Sequence, residues 1–130
     1  MKLRYAQHSD IHNLADSAGP GRQESAGLAG EPQIVAPGGV TLMDFQTWAP
    51  PLEKLNGRTV HTHNRLIACA QLTTAEKVQA ARVVAEKLAI SAGPCAFIMP
   101  LNGIDEWDRE GGPFRDEEGL AEFASTIRNL

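Results

Sequence analysis

Between Leu72 and Met99 the sequence spells a capped helix followed at once by an apolar strand, and this pair restricts the fold more than any other feature. Thr73 with Glu76 three residues later forms a capping box, in which hydroxyl and carboxylate satisfy each other's free backbone amides. The spacing then predicts a helix over about 74–90, with Val78, Ala81, Val84, Ala85 and Leu88 on one apolar stripe. Lys77, Gln79, Arg82, Glu86 and Lys87 fall mostly away from it. Gly93-Pro94 stops the helix, and Cys95-Ala96-Phe97-Ile98-Met99 has the length and bulk of a buried strand. Pro32-Gln33-Ile34-Val35-Ala36 is a second such run, stopped by Pro37-Gly38-Gly39, and Arg58 to His61 a third. Apolar runs joined through a helix point to an α/β protein with parallel strands. The expectation is a partial parallel sheet of three to four strands with flanking helices, in which Cys95 belongs to the core.

Beyond the 95–99 run the chain stays irregular for seventeen residues, from Pro100 to Asp116, with three glycines, two prolines and five carboxylates. Long irregular loops in compact domains are either functional or disordered. This one leaves the carboxyl end of a strand, where open α/β sheets hold their ligands. His61-Thr62-His63-Asn64 follows the third strand, and in extended backbone His61 and His63 share a side. Two imidazoles do not make a zinc site without a third ligand such as Asp44, Asp105 or Asp108, and no metal is expected. Ser17 to Arg22 is a turn-rich segment; its Gly19-Pro20-Gly21 turn runs into a short helix over 23–29 that Gly30 closes in the left-handed conformation. The last helix spans about 117–128, with Leu120, Phe123, Ala124 and Ile127 inward and Asp116 as its N-cap. Residues 1–14 read as a poorly ordered arm before a single domain over 15–130.

With 42% apolar and 22% charged residues the chain has an ordinary globular composition, and only seven aromatic residues, so aliphatic side chains must fill its core. The net charge of −4 argues against a nucleic-acid or acidic-membrane partner. No apolar stretch is long enough to span a bilayer. Two cysteines are too few for a disulfide framework; Cys69, in a loop, and Cys95 read as reduced thiols of a cytoplasmic protein. P-loop, dinucleotide-fingerprint, nucleophile-elbow and C-x-x-C patterns are all missing.

Six pieces occur in a familiar order: S-A-G-P-G-R at 17–22, P-Q-I-V-A-P-G-G at 32–39, M-D-F at 43–45, H-T-H-N at 61–64, L-T-T-A-E at 72–76, and P-L-N-G-I-x-x-x-D-x-x-G-x-P-F-x-D at 100–116. The set resembles the carboxy-terminal domain of the Tm-one-like ATP-binding proteins, a family with the plant tobamovirus-resistance protein and many bacterial members. The resemblance runs from about residue 15 to 128. It implies a three-layer Rossmann-like fold, of which this chain is part, and a partner in the amino-terminal ATP-binding domain on another chain. Arg22, Gly38, Asp44, His63, Asn64, Thr73, Thr74, Gly103, Asp108, Gly111 and Asp116 match its motif positions. Leu72 stands where the family usually has Arg, and Asp105 where it usually has Ser. Both differences disfavour phosphate, so ATP is a cofactor by resemblance only.

Three functions follow. In the first, Arg22, Gly38, Asp44, His63, Asn64, Thr73, Thr74, Gly103, Asp105 and Asp108 converge at the strand carboxyl ends to bind a small anionic or nucleotide-like molecule. In the second, a hydrolase or lyase uses His63 as base, oriented by Asp108 or Asp44. In the third, an exposed sheet edge completes itself with another chain, and a homo-oligomer is one form of that assembly.

Overall fold

The computed structural model describes residues 24–48 and 53–129. The amino-terminal arm and Arg22, with its Gly-Pro-Gly turn, lie outside these residues. Within them the order is α1 (Ser25–Leu28), β1 (Gln33–Val35), β2 (Leu42–Gln46), a 3-10 turn (Glu53–Leu55), β3 (Val60–Thr62), β4 (Ile67–Gln71), α2 (Thr74–Ala89), β5 (Cys95–Phe97) and α3 (Glu117–Asn129). The class is mixed α/β, as expected.

β1 and β5 pair in parallel, Ile34 opposite Ala96, with Ile98 N–H continuing the ladder to Val35 O at 2.9 Å. The turns leading into the two strands approach closely: a Cβ on Gly93 would meet the carbonyls of Gly30 and Glu31. Gly30 itself sits at φ 75°, closing α1 as expected. The parallel sheet stops at these two strands among the described residues, not three or four. The other three strands form an antiparallel sheet ordered β2-β4-β3. Its central strand, Ile67-Ala68-Cys69-Ala70-Gln71, has small side chains because both its faces are covered closely. Cys69 is therefore buried mid-strand and not in a loop, whereas Cys95, expected in the core, is exposed at the start of β5.

α2 begins with the capping box intact: Thr73 Oγ1 accepts from Glu76 N–H, and Glu76 Oε2 accepts from Thr73 N–H at 2.8 Å. The inward stripe is rotated from expectation, to Lys77, Ala80, Ala81, Val84 and Lys87. Lys77 is only 3% exposed because its ammonium meets Asp116, the N-cap of α3, across the helix–helix seam. Asp116 Oδ1 also accepts from Gly119 N–H at 2.9 Å. Met43, Ala70, Leu72, Ala80, Ala81, Val84, Leu120 and Phe123 form the main core, against which Phe97 and Met99 pack from the parallel sheet.

Candidate functional site

The face of the antiparallel sheet opposite the helices carries the chemistry-bearing side chains. Directly opposed residues share a face, so Asp44, Cys69 and His61 lie in one row across β2, β4 and β3. Leu42 and Cys69 form a small second core with Phe114, and Trp107 packs on it. The His61 ring lies 5.0 Å from the Trp107 ring, and His63 stands edge-on to the same indole at 5.2 Å. Phe114 meets His61 edge-on at 6.3 Å. A period of two thus places both imidazoles on one side, as expected; His61 is half-buried and His63 exposed.

Asn64 is engaged in the β3–β4 hairpin. Its Oδ1 accepts from Leu66 and Ile67 N–H at 2.8 and 2.9 Å, while His63 and Asn64 N–H donate to Ile67 O. Such an Asx turn pins the hairpin and aims His63 at Trp107.

The 100–116 loop has no regular ladder, yet it is densely bonded. Asp108, buried, accepts from Ile104 N–H with both oxygens at 2.9 and 2.8 Å and from Asp105 N–H at 3.0 Å. Asp105 Oδ1 accepts in turn from Trp107 and Asp108 N–H, and Thr41 Oγ1 donates to Oδ2 at 3.4 Å. Burial first, then the neighbouring Asp108 charge, push the Asp105 carboxyl above its usual range against these bonds. Gly103, at φ 134°, is needed because a Cβ there would meet Asp108 Oδ1. Arg115 Nη1 fastens the loop from outside, donating to Asn102 O and Asp108 O. Gln71 joins the layers: its side chain donates to Phe114 O, and its carbonyl accepts from Arg58 Nη1 at 3.3 Å. Arg58 also pairs with Glu76 through both terminal nitrogens.

The residues expected at the site are accordingly divided. His63, Asp44, Gly103, Asp105 and Asp108 belong to the loop-covered side or its loop, and Thr73 and Thr74 open α2 with the Thr73 side chain turned to Glu76. Gly38 is exposed in a bend after β1. Asp108, proposed to orient His63, spends its oxygens on backbone amides instead. Sequence reasoning missed Trp107, His61's stacking role and Phe114, whose signal was three aromatic or imidazole side chains in a chain with few rings. Among the described residues no three His, Cys, Asp or Glu side chains are grouped to hold a metal ion, and no helix is long and apolar enough to cross a membrane.

Fold and site together define a mixed α/β domain with a loop-sealed antiparallel sheet. Residues 9–130 match the model of the C-terminal domain of an uncharacterised protein family, UPF0261, and the chain belongs to that family. It is 45% identical to a UPF0261 protein of Brucella melitensis over 112 residues, which is 86% of this chain and 27% of that protein. It is 33% identical to a UPF0261 protein of Clostridium tetani over 112 residues, 86% of this chain and 28% of that one. The chain thus spans little more than a quarter of the length of these relatives.

Proposed function

We propose that the chain is a ligand-contacting α/β domain of the Tm-one-like kind. It meets an anionic, nucleotide-like molecule at the His61–His63–Trp107 rim, while an amino-terminal ATP-binding domain on another chain supplies the rest of the cleft. The observation that carries this reading is the gathering of both imidazoles on one indole, at the edge of a loop that the Asp105–Asp108 bonds hold rigid. Imidazoles donate to anions and change charge near neutral pH, and an indole offers a flat face to a base. Phosphate attraction at this rim rests on the two histidines, so affinity for the chain alone is modest. Trp107 emission in a Trp48→Phe background tests the idea, titrated separately with ATP, AMP and inorganic phosphate. A saturable change is expected, weakened about tenfold in His63→Ala, a factor worth about 1.4 kcal/mol, with the melting temperature held. Emission and calorimetric heat unmoved by all three compounds would overturn it.

A further inference from the structure

Asn-Gly occurs twice in the chain, at 56–57 and at 102–103, each time after a leucine. In this dipeptide no side chain obstructs the glycine nitrogen, which stands beside the asparagine side-chain carbonyl as a ready partner for ring closure. Asn64 is guarded against it: its Oδ1 is taken by two amides, and Arg65 follows. Asn102 is exposed at the start of the 100–116 loop. Among the described residues neither its side chain nor the Gly103 N–H has a hydrogen-bond partner. The Asn56 side chain and the Gly57 N–H are exposed and free in the same sense. What separates the two sites is Arg115. Its Nη1 donates at 3.2 Å to Asn102 O, the oxygen of the peptide group whose nitrogen belongs to Gly103. Glu117 takes the other guanidinium nitrogens, Nε and Nη2, so Nη1 is left for this carbonyl and for Asp108 O. Among the described residues no donor reaches Asn56 O.

The reaction is an intramolecular substitution. The Gly103 nitrogen gives up its proton and attacks Asn102 Cγ; a C–N bond forms, the C–NH2 bond breaks, and the proton leaves with the ammonia. Water then opens the resulting succinimide at either carbonyl, giving aspartate or isoaspartate. As the proton departs, negative charge spreads over the Gly103 nitrogen and Asn102 O. A guanidinium already seated on that oxygen stabilises the charge where it develops. We propose that Asn102-Gly103 is a self-modification site whose ring closure Arg115 promotes and whose isoaspartyl product unseats the 100–116 loop. The tightness at Gly103 carries the second part. At φ 134° a Cβ there would lie 2.6 Å from Asp108 Oδ1 and 3.2 Å from Arg109 N. A main chain lengthened by one carbon at residue 102 has no room beside these atoms, so the Asp108 bonds to the Ile104 and Asp105 amides give way. The inference stands apart from the ligand reading, since it needs only the chain and water.

The test follows both sites by peptide mass spectrometry while the chain stands in mildly alkaline buffer, with isoaspartate counted by enzymatic methyl transfer to its carboxylate. Ammonia loss at Asn102 is expected to outpace that at Asn56 by about tenfold, the weight of one charge-assisted hydrogen bond. In concentrated urea Arg115 no longer reaches its carbonyl, and the two rates should converge. Arg115→Gln should slow Asn102 toward the Asn56 rate and leave Asn56 as it was. The urea comparison needs no variant, so it decides even where Arg115→Gln fails to fold. Equal rates in the folded chain, a ratio that persists in urea, or a folded Arg115→Gln chain that still favours Asn102 each overturn the proposal. Chain bearing isoaspartate at 102, separated by ion exchange, should exchange its amide hydrogens over 103–114 about tenfold faster than unconverted chain, as loss of one such bond predicts. Unaltered exchange there overturns the unseating.

Discussion

Leu42 and Met43 are neighbours on β2, yet what covers them differs in kind. Met43 faces the two long helices, where Val84, Leu120 and Phe123 supply apolar area and the acids meet cations. Leu42 faces the 100–116 loop, where Phe114 is the main apolar plug and the buried acids meet backbone amides. The helix side is held by burial and ion pairs that any amphipathic helix can reach. The loop side is held by a specific set of carboxylate–amide bonds, so it depends on a few residues in one register.

Removing bulk on the helix side should have the largest effect. Phe123→Ala is expected to lower stability by about 3–5 kcal/mol, read by chemical denaturation with every amide losing protection together. If the loss is confined to one region, the helix side is not the cooperative core. Asp108→Ala comes next, at about 2–4 kcal/mol, because it strands the buried Ile104 and Asp105 amides. Hydrogen exchange should accelerate first within 103–114; uniform acceleration would erase the distinction between the two sides.

Acid separates the sides by sign. Burial raises the Glu76 carboxyl, but the Arg58 guanidinium and Thr73 bonds outweigh it and hold the group at about 2. Its contribution is thus complete above its unfolded value near 4.5 and is lost as pH falls from there toward 2. Glu76→Gln should flatten the acid limb of the stability curve over that window. Asp105 runs the other way: its folded value is raised, so stability it favours when protonated is lost as pH rises through that value. Asp105→Asn keeps an acceptor for the Trp107 and Asp108 amides and removes a desolvated charge. The smallest effect is expected here, a stability at pH 7 equal to the parent or higher by up to about 1 kcal/mol. A loss above that would show that the ionised carboxylate itself holds the loop.

Local features were legible from the residues. The Thr73–Glu76 box, the Asp116 cap and the Gly30 turn each act over three or four positions, and all appear where they were expected. The apolar runs at 32–36 and 95–99 declared a parallel pair, which forms over 33–35 and 95–97. β4 was not legible, because Ala68, Cys69 and Ala70 lack the branched bulk that marks strands; close cover on both faces selects small side chains instead. Lys77 was misplaced outward for a related reason, since its partner Asp116 lies 39 residues away. The imidazole pair was visible in the sequence, whereas the indole between them came from a loop whose path only the folded chain reveals.

Gln71 gives these two dissimilar layers a common fastening. One end of the residue holds the plug of the loop and the other receives the arginine that braces the first turn of α2. A disturbance at the ring cluster therefore has a short mechanical route to the start of the longest helix, and loosening that turn reaches the rings by the same road. The loop is less a separate flap than an extension of the sheet and of α2, tied to them at Gln71, Thr41 and Lys77.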